Sequence, residues 1–263
     1  KKESNDIPEL HYAVYQNVIA ISLFNHETYL FSHDYNKNHN LDKIQLILSK
    51  ENTSSFKFKK IDSKKSNLTD KEFVENVKKG IKHCHRGDVF QLVLSRRFSQ
   101  KFKGDEFNVY RKLRSINPSP YLFFFDYGDF KIFGSSPEAQ LIIDSGFAEI
   151  HPIAGTFKRT GDDKIDSAAA IKLSKDEKEN SEHVMLVDLA RNDLSRNGSE
   201  VKVTKNREIQ YFSHVIHLVS KVICKMKKNA KTFQVVADTF PAGTLSGAPK
   251  HMALKLINKY EKS

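Results

Sequence analysis

Cysteine is scarce in this chain: Cys84 and Cys224 are the only two, and they form no C-x-x-C pair. That excludes a disulfide framework and a cysteine-based zinc site, and it points to a reducing compartment in which both thiols act as small core filler. Long apolar runs are also absent. The longest are short, as in Leu122 to Phe125, against the ~18 apolar residues needed to cross a bilayer. The opening Lys1-Lys2-Glu3-Ser4 lacks the apolar core of a signal peptide, and no internal repeat or low-complexity linker interrupts the sequence. A cytoplasmic protein with no membrane partner is expected.

Acidic residues fall short of basic ones, with 32 Asp and Glu against 43 Lys and Arg, so the formal net charge is +11. Much of the excess sits in lysine-dense stretches such as Phe56 to Lys65. A nucleic-acid surface would bring an Arg-rich helix, zinc-finger spacing or ribonucleoprotein aromatics. None is present, so the reading is a solvated lysine surface that draws small anions toward a cleft, with no nucleic-acid partner. At 39% hydrophobic and 29% charged the chain is globular, and 263 residues allow one large domain or two small ones.

What is present is interleaved strands and helices. Residues 8 to 32 alternate apolar and polar, which predicts two or three strands, and Asp34 to Asn40 reads as a polar turn. Thr69-Asp70-Lys71-Glu72 is a capping box for a helix with Phe73, Val74, Val77 and Ile81 as its apolar stripe. Val89 to Phe98 predicts a strand that sets Gln91 apart from Phe90, Leu92 and Leu94. A buried amide there must brace backbone or face a polar cleft. Phe107, Tyr110 and Leu113 mark a short helix stopped by Asn117-Pro118-Ser119-Pro120-Tyr121. Two hairpins follow, turning at Tyr127 to Asp129 and at Ser145-Gly146, and between them Gly134 to Glu138 is a small-residue turn bearing one carboxyl. The next strand runs into His151-Pro152-Ile153-Ala154-Gly155-Thr156, where Gly155 permits close backbone approach and Thr156 offers a hydroxyl.

A helix over Lys164 to Leu173 precedes the most informative stretch, Lys175 to Asp193, a second helix with Ser174 and Glu177 as its expected capping box. Glu179, Glu182, Leu186, Leu189 and Asp193 share one face of it. Carboxylates beside leucines suit a hard divalent ion such as Mg²⁺, though acidic residues also favour the positive end of any helix. Ser213 to Cys224 alternates strictly as a long strand with His217 on the face of Val215 and Val219, a position that suits either a core histidine or a catalyst. Thr239 to Lys250 is a loop feeding a helix near Pro249 and is not a Walker loop. The pattern predicts an α+β fold with mostly antiparallel hairpins.

Seven stretches, in order, resemble one family: residues 87–98, 117–121, 133–138, 152–156, 181–193, 212–220 and 240–250. They are similar to the chorismate-utilising enzymes and, within that family, to the large subunits of anthranilate synthases. The resemblance implies two packed, mainly antiparallel sheets flanked by helices around a chorismate cleft. It implies Glu182 as a Mg²⁺ ligand with Glu179 in its shell, Glu138 as the general acid for the leaving ring hydroxyl, and His217 against bound chorismate. Gly155, Thr156 and Thr244 resemble substrate contacts, and Pro120, Tyr121 and Leu122 resemble a wall of a tryptophan feedback pocket. Gln91 stands where isochorismate- and salicylate-forming members carry a water-activating lysine, which favours ammonia as nucleophile. Ala154 stands where many aminodeoxychorismate synthases carry a nucleophilic lysine, so a covalent route is closed.

The implied reaction converts chorismate and ammonia to anthranilate and pyruvate, with ammonia supplied by a glutamine amidotransferase subunit. An aminodeoxychorismate synthase and a non-catalytic remnant or basic binding module are the alternatives. One partial catalytic domain is expected over 1–263, with strands over about 1–65 and the core motifs over about 66–263. The family's long region before Pro8 is not seen. Its segments beyond Tyr260, bearing an arginine, a tyrosine, a Gly-rich turn and a second Mg²⁺ glutamate, are also not seen. On that resemblance the chain is expected to be a fragment or truncated product, with activity in the parent enzyme.

Overall fold

The computed structural model describes residues 7–8, 10–33, 41–50 and 56–261. The turn expected over 34–40 lies outside them. The chain divides into two compact units, 1–57 and 58–263. In the first, β1 (Asn17–Ile21) and β2 (Thr28–Ser32) form an antiparallel hairpin with Asn17 opposite Ser32 and Ile21 opposite Thr28. Helix α1 (Leu41–Leu48) follows.

The second unit opens with two short strands, β3 (Lys59–Lys60) and β4 (Lys65–Ser66). Helix α2 (Asp70–His85) has the expected capping box: Thr69 Oγ1 accepts from the Glu72 N–H at 3.2 Å and Glu72 Oε2 accepts from the Thr69 N–H at 2.9 Å. Its apolar stripe differs from expectation, since Val74, Val77 and Ile81 are exposed and the close contact is made at Gly80, against Leu92 and Leu94. The expected strand over Val89 to Phe98 is reduced to β5 (Gln91–Leu92) and the start of β6 (Phe98–Ser99), because the strand opposite β5 is itself only two residues long. β6 pairs with β4, and β7 (Phe102–Lys103) pairs with β3.

Helix α3 (Phe107–Ile116) ends at Asn117, before Pro118, as its sequence requires. The hairpin of β8 (Tyr121–Asp126) and β9 (Lys131–Ser136) packs on it through Phe124, which meets Phe107 edge-on at 4.9 Å and stacks with Phe133 at 5.6 Å. β10 (Ile142–Asp144), β11 (Phe147–Ile150) and β12 (Ile153–Lys158) lead to helices α4 (Asp163–Lys175) and α5 (Glu177–Asn197). Two long strands, β13 (Gly198–Tyr211) and β14 (Val215–Met226), complete a five-stranded antiparallel sheet in which β11, β12 and β13 all pair with β14. After it come α6 (Thr232–Thr239), the short α7 (Gly243–Ser246), β15 (Gly247–Ala248), which pairs with β5, and α8 (Lys250–Tyr260).

The core lies where the two long helices cover one face of β14. Alternation turns Ile216, Leu218, Ser220, Val222 and Cys224 to that face, and all are buried. Ile216 and Leu218 meet Ala170 and Leu173 of α4, whereas Val222 and Cys224 meet Ala190 and Leu194 of α5. A fully buried Leu or Val of this kind contributes about 1.5–3 kcal/mol. Cys224 fills a small gap beside Gly198, where an added Cβ would stand 2.3 Å from its Sγ. Among the described residues no helix is long and apolar enough to cross a membrane.

One polar pair is bolted into this interface. His183 of α5 is fully buried and lies 2.6 Å from Ser220 Oγ of β14 through Nε2, and Ser220 Oγ also accepts from the Arg207 N–H at 2.9 Å. Burial, aided by the nearby Arg207 charge, lowers the His183 pKa to about 4. The unfolded chain then binds a proton that the folded chain refuses, so this contribution is complete above about pH 6.5 and is lost as pH falls toward 4. With a chelator present, urea unfolding is expected to show wild type losing about 2 kcal/mol more between pH 7 and pH 5 than His183→Gln does. Equal pH slopes for the two proteins would exclude a neutral buried His183.

Candidate active site

Helix α5 carries the carboxylates. Its cap is not the expected Ser174, which lies in the last turn of α4 and donates to the Ile171 carbonyl at 2.8 Å. Asp176 takes the place, accepting from the Glu179 N–H at 3.0 Å, because the extended backbone at Asp176 separates the two helices and a carboxylate suits a helix start. Of the five residues expected on one face, Glu182, Leu189 and Asp193 line an open groove of about 1050 Å³, whereas Glu179 and Leu186 do not reach it. Leu186, Leu189 and Asp193 line a small cavity of about 30 Å³ together with Glu138 and Thr244.

Three groups of expected site residues lie around this helix, and two of them meet this face directly. In the first, Gln91 of β5 donates from Nε2 to Glu182 Oε1 at 2.9 Å, while its buried Oε1 has no partner among the described residues. That amide thus pairs with a carboxylate side chain rather than with backbone. In the second, Gly155 sits at a β-bulge between Ala154 and Thr156 with φ +75°. A Cβ there would stand 3.0 Å from Leu173 Cδ1, and the left-handed backbone favours glycine, while Glu179 Oε2 at 3.4 Å from that point is in ordinary contact range. The Gly155 carbonyl lies 3.0 Å from His217 Nδ1, and Thr156 Oγ1 is 3.2 Å from the same nitrogen. His217 is buried, and Phe212 meets its ring edge-on at 5.2 Å. Alternation along β14 puts His217 on the sheet face away from α4 and α5, so Gly155 is the residue that both sides touch.

The third group is Glu138 with Thr244, whose Oγ1 donates to Glu138 Oε1 at 3.4 Å. Burial pushes the Glu138 carboxyl above its ordinary value, and the Thr244 bond only partly offsets it. No cation lies within ion-pair distance of Glu138, Glu179 or Glu182 among the described residues. Two half-buried carboxylates one helical turn apart, with no protein cation to neutralise them, fit a hard divalent ion. They make only part of a coordination sphere, since no group of three or more His, Cys, Asp or Glu is arranged for a metal among the described residues.

Pro120, Tyr121 and Leu122 lie apart from these groups, at the entry of β8, with Pro120 and Tyr121 exposed and Leu122 half-buried. They connect to Glu138 through the hairpin: Tyr121 pairs with Ser136, whose Oγ accepts from the Glu138 N–H at 3.1 Å. One feature was not foreseen. Lys250 Nζ stands 2.6 Å from Asp193 Oδ2 in a buried ion pair, and burial raises the Asp193 carboxyl against the pull of that lysine. The sequence signal for it is slight: Asp193 shares the helix face of Glu182, and Lys250 closes the 240–250 stretch.

The family model described as chorismate binding enzyme matches residues 1–263. The chain belongs to that family of chorismate-binding enzymes. Its relatives include the anthranilate synthase component 1 of Aquifex aeolicus, 45% identical over 199 residues that make 75% of this chain and 40% of that protein. The anthranilate synthase component 1 of Buchnera aphidicola subsp. Pemphigus spyrothecae is 40% identical over 258 residues, 93% of this chain and 48% of that protein. The chain thus spans less than half the length of these relatives. The crystal structure of anthranilate synthase component I from Streptococcus pneumoniae matches 95% of this chain and 58% of its own, with TM-score 0.79 and 32% identity. An isochorismate synthase of Escherichia coli, at TM-score 0.74 and 18% identity over 84% of this chain and 52% of its own, shares the fold.

Gly155 offers a direct check of the site's packing. An added methyl must adopt a left-handed backbone and press on Leu173, so Gly155→Ala is expected to cost about 1–3 kcal/mol in urea unfolding. A loss below about 0.5 kcal/mol would mean that the strand does not hold the bulge tightly.

Proposed function

We propose that the protein acts as the large subunit of an anthranilate synthase, converting chorismate and ammonia to anthranilate, pyruvate and water. The observation that carries this reading is Gln91, an amide whose Nε2 is held on Glu182 and whose Oε1 is free to accept. An amide does not deprotonate water, whereas it can accept a hydrogen bond from ammonia, which is already a nucleophile at neutral pH. Ala154 supplies no amine for a covalent intermediate, which favours direct attack at the ring carbon beside the ring carboxylate.

The other residues fit the remaining steps. Glu138, whose carboxyl burial pushes above its ordinary value, would protonate the ring hydroxyl as it leaves. The ring then loses a proton from the carbon that gained nitrogen and expels the enolpyruvyl group as pyruvate, which balances the atoms. His217, Gly155 and Thr156 would lie against the substrate. Glu182 and Glu179 would hold Mg²⁺, which supplies charge neutralisation for the substrate's ring carboxylate. Ammonia would come from a glutamine amidotransferase subunit, and Pro120, Tyr121 and Leu122 would form part of a tryptophan feedback site. The relatives named anthranilate synthase component 1 support this subfamily over the isochorismate synthases.

The test uses the full-length enzyme with chorismate, Mg²⁺ and ammonium, read by anthranilate fluorescence and product chromatography. Anthranilate is expected with only traces of isochorismate, and Gln91→Lys is expected to abolish it. A Gln91→Lys enzyme that keeps the parental rate would remove Gln91 from the nucleophile's path. An aminodeoxychorismate product would transfer the protein to the other subfamily.

Glu138→Gln is expected to lower kcat by about 10²–10⁴-fold. Because burial raises the Glu138 pKa, the acid form persists to higher pH than in a free glutamate, and kcat should fall as pH rises through that value. A wild-type profile with no such alkaline limb, or one that Glu138→Gln leaves unchanged, would sink the assignment of the acid.

A further inference from the structure

Asp193 and Lys250 have no role in the steps above, yet their side chains, 5% and 12% exposed, make the most deeply buried ion pair among the described residues. Lys250 Nζ also donates to the Thr239 carbonyl at 3.0 Å. A pair of apolar side chains of similar volume would be at least as stable here, because removing two charges from water offsets most of their attraction. The position of the pair is more telling than its strength.

Asp193 lines both the groove that holds Glu182 and the cavity that holds Glu138 and Thr244, so it stands in the wall between them. Lys250 opens α8 directly behind the 243–248 segment. That segment touches the site twice: Thr244 reaches Glu138, and Ala248 pairs with Gln91 while its carbonyl accepts from the Phe90 N–H at 2.7 Å. Its near end is pressed on the same helix, since a Cβ at Gly243 would stand 2.0 Å from Leu189 Cδ2. Leu189 and Asp193 are one turn apart, so the segment is clamped to a single face of α5 at both ends.

We propose that Asp193 and Lys250 are a positioning pair: their salt bridge sets the 243–248 segment against α5 so that Thr244 holds Glu138 while Ala248 holds Gln91 on Glu182. The acid and the nucleophile side are thereby kept in fixed relation to one helix. The lysine also neutralises a carboxylate that would otherwise face an anionic substrate. This inference rests on the roles given to Glu138 and Gln91 under the proposed function.

The test compares wild type, Lys250→Met and the double variant Asp193→Leu/Lys250→Met in the full-length enzyme, with steady-state kinetics, thermal midpoint and amide exchange of residues 243–248. Lys250→Met is expected to lose about 100-fold in kcat with KM for chorismate held within about threefold, and to melt lower because a lone buried carboxylate remains. The double variant is expected to recover the midpoint but not kcat, with 243–248 amides exchanging about tenfold faster than in wild type and β14 amides unchanged. If Lys250→Met fails to fold, the double variant carries the test. A double variant that regains wild-type kcat together with its midpoint overturns the proposal, as does unchanged exchange at 243–248. A wild-type enzyme that makes no anthranilate overturns the reaction assigned above, and the exchange result then still decides whether the pair holds the segment.

Discussion

The seating of α5 on β14 is the contact on which the rest depends. His183, Leu186, Ala190 and Leu194 recur at helical spacing and are buried, and the strand answers with Ser220, Val222 and Cys224 at every second position. Two incompatible periods, 3.6 and 2, are matched over this short length by small residues and one hydrogen-bonded polar pair. The His183 to Ser220 bond helps fix the rotation and register of the helix, since slippage would strip Nε2 of its partner when buried Nδ1 already has none among the described residues. Once α5 is set, the positions of Glu179, Glu182, Leu189 and Asp193 follow, because they ride the same cylinder.

The acidic groups around that helix then differ by what faces them. Glu182 receives a neutral amide, Glu179 lies over a strand glycine, Glu138 receives a neutral hydroxyl in a tight cavity, and Asp193 receives a lysine. Burial without a cation favours the protonated form, so Glu138 is suited to give a proton. Asp193, with a lysine against it, is better suited to fastening one element to another. Four carboxyl groups of similar intrinsic acidity are thus separated in environment by their neighbours.

The small residues have complementary tasks. Gly155 takes the left-handed backbone of the bulge close against Leu173, Gly243 admits Leu189 to the following loop, and Gly198 admits Cys224 where α5 turns into β13. At each a methyl group would push against a part of the site or its support. An isochorismate synthase shares this fold, so the fold alone does not fix the side chains at the site, where Gln91 is hydrogen-bonded to Glu182 here.

Much of this was legible before any coordinates. Strict alternation gave β14 and the 17–32 hairpin, the Thr69 to Glu72 box gave the start of α2, Pro118 stopped α3, and the wheel placed Glu182, Leu189 and Asp193 on one face. These are local rules, each enforced within a few residues of chain. Two misreadings came where partners far away in sequence decide: the 89–98 strand is short because β15 is short, and α2 meets its neighbours through Gly80, His83 and Cys84 rather than through Val74, Val77 and Ile81. The third is local, since Asp176 rather than Ser174 caps α5 where the chain bends. By itself the sequence determined the family and many of the elements, but it did not announce β13, α1 or α6, since β13 lacks a clean alternation and the two helices are too short to display a clear period. Only the tertiary structure decided that Gln91 binds Glu182, that Thr244 binds Glu138 and that Lys250 is buried on Asp193, because each pair joins residues 57 or more positions apart and is selected by packing.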